Sequence, residues 1–160
     1  MPANDLEVLL RSRVPVIVVQ SRDEAQVLKA LAGACALLSA PVTAPRPIGA
    51  PLTRGGLPLF KWTVTDGLKR LDVEVGPPQR MLAQPPDVLK HIRATALAGA
   101  YALLDFNPYL RDPTIVRLLK DIAQDYDRCA RTIVLIGDEL EIPHELEPLA
   151  ARVELALPDR

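Results

Sequence analysis

No glycine in this chain is followed by a lysine. A loop that wraps phosphate needs glycines so that backbone N–H groups can turn inward, and a lysine to supply charge. Without that pair, the usual mode of triphosphate binding is not expected. Cysteine is also sparse. Cys35 and Cys129 lie far apart and form no CxxC pair, which argues against a zinc or redox centre. Each falls on the apolar side of a predicted helix and reads as a buried thiol in a reducing compartment. Aromatics make up 4% of the chain and Trp62 is the single tryptophan, so no base-stacking platform is built. The net charge is −1, and no run of Lys and Arg is longer than a pair. Neither nucleic acid nor an anionic membrane therefore meets a general attraction. No apolar run is long enough to span a bilayer. The start, Met1-Pro-Ala-Asn-Asp, has no basic-then-apolar signal pattern. The expected location is the cytoplasm.

Aliphatic residues and proline are plentiful. A length of 160 residues, 49% of them hydrophobic, suits one domain, residues 1–160, around a single core. The 16 prolines are about twice the usual share. Pro41, Pro45, Pro47, Pro51 and the pair Gly55-Gly56 mark Ser39–Gly56 as a long exposed Pro-rich insertion. A second Pro-rich loop runs from Gly76 to Pro86. No internal repeat is present.

Along the chain, apolar strands alternate with amphipathic helices. A helix is predicted from Asp5 to Ser12, then a strand over Val14–Val19, continuous and β-branched as in a sheet covered on both faces. Ser21 and Glu24 match a capping box. The helix after it places Ala25, Leu28, Leu31, Ala32, Cys35 and Leu38 on one stripe. Further strands are predicted over Leu57–Val64, Ala100–Leu104, Thr132–Ile136 and Val153–Leu157, with a minor edge strand at Leu71–Val75. Asp87 is expected to cap a helix through Leu97 that ends at Gly99. Asp112-Pro113 opens the clearest helix, with the stripe Ile115, Leu118, Leu119, Ile122, Tyr126 and Cys129. A short helix is expected from Pro143 to Ala150. This order predicts an α/β domain, a mainly parallel sheet with helices on both faces in three layers.

Ligands in such sheets bind beyond the C-terminal strand ends. That directs attention to Gln20–Glu24, Thr65–Gly67, Asp105–Phe106 and Gly137–Glu139. The first strand runs into Gln20-Ser21-Arg22-Asp23-Glu24, the place where a P-loop would be, with two acids where phosphate would sit. Ala102-Leu103-Leu104-Asp105 resembles a Walker B strand, whose aspartate helps hold Mg²⁺. Asp105 is thus the candidate metal ligand, although Phe106 stands where an acid would polarise water. The bland alternative is that Asp105 hydrogen-bonds the loop Asn107-Pro108-Tyr109. Asp138, Glu139, Glu141, His144 and Glu145 read as a solvated acidic loop without metal-ligand spacing. His91 lies mid-helix without a sequence partner. No Ser or Cys has a base beside it.

The order of these motifs resembles the N-terminal domain of the AAA-type ATPases first noted as a conserved open reading frame of algal chloroplast genomes, with bacterial and cyanobacterial relatives. The matching pieces are Leu9-Leu10-Arg11-Ser12-Arg13, Trp62 to Gly67, Leu104-Asp105-Phe106, the Asp112 helix, Ile142-Pro143-His144-Glu145-Leu146 and Glu154-Leu155-Ala156-Leu157-Pro158. The resemblance covers most of the chain outside Ser39–Gly56. It implies a degenerate AAA-like domain with a five-stranded sheet ordered 5-1-4-3-2. In the family this domain precedes a second AAA module carrying working Walker motifs, and this sequence stops at Arg160, where that module would begin. ATP and Mg²⁺ are expected only there, with no cofactor and no catalytic residue in this domain. The expected function is a non-catalytic regulatory or assembly domain. Its implied partners are an AAA module in cis or in trans, further copies in a homo-oligomer, or another protein, and not nucleic acid or membrane. The alternatives are weak nucleotide binding or hydrolysis through a non-standard loop, and an adaptor using the Pro-rich insertion.

Overall fold

The computed structural model describes residues 2–38, 56–73 and 76–154. The insertion expected at Ser39–Gly56, apart from Gly56, and the final residues of the expected last strand lie outside the described residues.

The core is a sheet of six strands: β1 (Val16–Gln20), β2 (Leu59–Thr63), β3 (Gly67–Arg70), β4 (Gly99–Leu104), β5 (Arg131–Gly137) and β6 (Ala150–Glu154). Their spatial order is β3-β2-β4-β5-β1-β6. All pairings are parallel except β2 with β3. Among the described residues four α-helices cover it: α1 (Pro2–Arg11), α2 (Glu24–Leu37), α3 (Pro85–Ala94) and α4 (Pro113–Gln124). The continuous apolar runs are explained by burial on both faces. Val16, Val18, Ile133 and Leu135 pack with α3 and α4, while Ile17, Val19, Val134 and Ile136 pack with α1 and α2.

The α/β class is as expected, but the sheet has six strands rather than five, with the antiparallel β3 added at the edge of the parallel series β6-β1-β5-β4-β2. The extra strand comes from a tight hairpin. The Thr63 hydroxyl accepts from the Asp66 N–H at 3.1 Å, and Gly67 adopts φ 81. A Cβ at Gly67 would lie 2.1 Å from the Gln79 carbonyl oxygen. The chain therefore returns at once as β3. Of the edge strand expected at Leu71–Val75, Glu74 and Val75 lie outside the described residues, and Leu71, Asp72 and Val73 are not in a strand. The short turn sets the register so that Leu68, not Leu71, enters the core.

Other boundaries moved for local reasons. The stripe of α2 is Val27, Leu31, Ala34 and Cys35, with Ala25 and Ala32 outside. This helix is apolar nearly all round, so periodicity alone did not select its buried face. Helix α3 begins after Gln84 with Pro85 in its first turn, and Asp87 is inside the helix rather than capping it. It ends at Ala94, and Gly99 opens β4 because a Cβ there would meet the Pro58 carbonyl oxygen at 2.8 Å. Asp112 does cap α4, accepting from the Thr114 N–H at 2.8 Å. Helix α4 stops at Gln124, so Tyr126 and Cys129 follow it. The segment expected as a short helix to Ala150 is a 3₁₀ turn, His144–Leu149, and β6 starts directly after it.

Candidate functional site at the strand ends

The parallel register brings Gln20, Gly137 and Glu154 level with one another at the C-terminal edge of the sheet. The chain after β1 is stitched down there. The Ser21 N–H donates to the Gly137 carbonyl at 2.9 Å. The Ser21 hydroxyl accepts from the Asp23 N–H at 3.1 Å, and the Asp23 carboxylate accepts from the Gln26 N–H at 3.1 Å. Asp23 is therefore the cap of α2. The expected Ser21–Glu24 capping box is not formed, because Ser21 still extends the β1–β5 pairing and only Asp23 stands where the free helix N–H groups begin. Arg22 leaves the loop, its Nε donating to Asp138 at 3.1 Å. Both of those side chains are largely exposed, so the pair adds little stability.

Asp105 follows β4 in the left-handed region, at φ 54. Its N–H donates to the Ile136 carbonyl at 2.9 Å, which extends β4 along β5 before the chain turns away. Its carboxyl does not cap the 3₁₀ turn Asn107–Arg111, whose first residues have no side-chain cap. It meets Glu24, in the first turn of α2, instead. The Glu24 carboxyl is raised above its ordinary value, first by partial burial, then by the Asp105 charge and a hydrogen bond between the two side chains; Lys61 on β2 opposes this. The two residues singled out at the former P-loop and at the Walker B position are thus brought together as an acid pair. Lys61 was missed. Its alternation along β2 places it on the α2 side of the sheet, but nothing local indicates that it would reach Glu24.

Phe106 is fully buried. Its ring meets Trp62 edge-on at 5.2 Å and Tyr109 at 5.3 Å. The Trp62 indole N–H donates to the Leu82 carbonyl at 2.8 Å. The position that would polarise water in a working site is therefore core.

The remaining candidates do not join this site. Thr65 and Asp66 form the β2–β3 turn. His91 is exposed on α3. Asp138, Glu139, Glu141, His144 and Glu145 are all exposed. Among the described residues no three His, Cys, Asp or Glu side chains converge to hold a metal ion. The backbone there is tied to the strand ends, since Asn107 accepts from the Glu141 N–H at 3.2 Å.

Residues 2–155 match the family model of the SpoVK-like AAA ATPase N-terminal domain. The chain belongs to that family. Two relatives are similar over nearly the whole chain. The "uncharacterized AAA domain-containing protein ycf46" of Trieres chinensis is 26% identical over 155 residues, which is 97% of this chain and 28% of that protein. The protein of the same description from Pyropia yezoensis is 21% identical over 154 residues, 96% of this chain and 28% of its own length. The chain thus spans 28% of the length of each of these relatives. No solved structure matches it. In this SpoVK-like N-terminal domain, the strand-end edge carries Asp23, Glu24 and Asp105 where an anionic ligand would need donors and cations. No described helix is long and apolar enough to cross a membrane.

Proposed function

We propose that this domain is a non-catalytic regulatory or assembly module of an AAA-type ATPase, making contacts within the assembly or with a protein partner. One observation carries the reading: the N-terminus of α2 is occupied by the protein's own carboxylates. Asp23 takes the Gln26 N–H, and Glu24 faces Asp105 across the strand ends. A triphosphate placed there would displace a cap worth about 1 kcal/mol and meet negative charge instead of a lysine. The buried Phe106 removes the partner acid that hydrolysis would use. ATP and Mg²⁺ belong, on this reading, to an AAA module acting in cis or in trans, and association with further copies of the chain would follow from that assembly.

A second reading is favoured by the exposure of Asp105 and the nearness of Lys61 to the acid pair. These groups could hold a weakly bound nucleotide through Mg²⁺. Calorimetry with ATP and ADP, each with and without Mg²⁺, separates the two. The expected result is no saturable heat at millimolar nucleotide. Saturable binding that Asp105→Ala abolishes would overturn the non-catalytic reading.

A further inference from the structure

The two edges of the sheet are finished differently. On the outer side of β3, Gln79 forms an antiparallel bridge with Leu68, its N–H donating to the Leu68 carbonyl at 2.8 Å. β3 is also only four residues long and carries Lys69 and Arg70. Such an edge resists further pairing. At the opposite edge, β6 is five residues long, contains no proline and, among the described residues, pairs with β1 alone. The Ala150 N–H closes the 3₁₀ turn by donating to the Glu147 carbonyl; among the described residues, no backbone hydrogen bond outside the β1 ladder involves Ala151–Glu154. Alternate N–H and C=O groups along this edge therefore point outward, ready to accept another strand.

The surroundings of that edge are acidic. From Asp138 to Glu154 the chain holds six acids and one basic residue, Arg152. Arg152 is turned to the protein, donating to the Leu140 carbonyl at 3.2 Å. Glu145 and Glu147, on the 3₁₀ turn that feeds β6, and Glu154 at its end are exposed.

We propose that β6 is a docking edge for an extended, lysine- or arginine-bearing protein segment, which would add a seventh strand beside β6. Main-chain hydrogen bonds would supply the attachment, and the acids would select a basic strand. Charge and edge finish together argue against a second copy of this chain. Antiparallel pairing of β6 with β6 would bring Glu154 of each copy to the end of the strand where the other copy carries Glu145 and Glu147, and β3 is already bridged by Gln79. The inference is independent of whether the strand ends bind nucleotide.

The test uses two synthetic peptides of alternating valine with lysine or with glutamate, added to the intact chain. Amide hydrogen exchange is followed at residues 150–154. The lysine peptide is expected to slow exchange of the outward amides at least tenfold, and added salt should reverse this. The doubly substituted Glu145→Lys, Glu147→Lys chain, checked for an unchanged circular dichroism spectrum, should lose most of that protection. Equal protection by the glutamate peptide, protection unaffected by the double substitution, or none with either peptide would overturn the proposal.

Discussion

Replacing Arg131 with methionine isolates the worth of one buried charge. Arg131 opens β5 with its side chain fully buried. Nη1 donates to the carbonyls of Ile92 at 2.7 Å and Thr95 at 3.2 Å, and to that of Arg93. Nη2 donates to the Asp125 carboxylate at 2.6 Å. The guanidinium thus satisfies the last carbonyls of α3, where the helix dipole also favours a cation, and ties them to the chain after α4. Opposing this, its Nε is buried without a partner, and desolvating the charge is costly. Methionine keeps much of the volume but leaves the Arg93 and Thr95 carbonyls without this donor, while Ile92 still accepts from the Thr95 N–H at 3.2 Å. Charge-assisted hydrogen bonds contribute about 1.5–3 kcal/mol each, but Nη1 has only two hydrogens for three carbonyls, so simple addition overstates the loss. Each orphaned carbonyl costs about 1–3 kcal/mol and loss of the Asp125 contact adds to it, so the expected destabilisation is about 3–5 kcal/mol, although Asp125 itself keeps Arg128 as partner. For a chain of this size that lowers Tm by roughly 6–20 °C. Urea titration followed by Trp62 fluorescence and circular dichroism measures it. Arg131→Lys should fall between the two, because one ammonium cannot span both the carbonyls and Asp125. A methionine variant within about 1 kcal/mol of the parent would refute the reasoning, since desolvation would then cancel the clamp.

Glu24→Gln should stabilise the domain at neutral pH and not in acid. The Glu24 carboxyl is raised above 4.5 in the fold, so the folded state binds its proton more readily than the unfolded chain. Stability therefore falls as pH rises from the unfolded value through the folded one, and the loss persists above it. Urea midpoints should show the gain at about pH 7 and little at about pH 3.5, and an equal gain at both would sink the assignment. Cys35, whose thiol is pushed up to about 12 by burial and then by the Asp72 charge, should react with a thiol reagent only on unfolding, well after the half-buried Cys129. Equal rates for the two cysteines would contradict the packing of α2. Gly67→Ala should destabilise by about 2 kcal/mol or more, from the left-handed backbone and the contact with Gln79. A neutral result in thermal unfolding would mean that the hairpin relaxes freely.

The sequence by itself determined the features that depend on neighbours along the chain. The unbroken β-branched runs at Val16–Val19 and Ile133–Ile136 required burial on both faces, and so a helix-covered parallel sheet. Asp112-Pro113 specified the start of α4 through its own N–H groups. The missing Gly-Lys pair removed the usual phosphate loop, and the order of weak motifs was enough to indicate the family. Where a decision depended on distant residues, only the tertiary structure made it. Ser21 lost the capping role to Asp23 because Gly137 took its N–H. The apolar circumference of α2 left its buried face to the sheet. The β3 hairpin was decided by a glycine held against Gln79, and the clamp at Arg131 by a helix end nearly forty residues away in sequence. The meeting of Glu24 with Asp105 belongs to the same class. Each residue was legible as a candidate, but their shared electrostatics exists only because the parallel register sets the strand ends side by side.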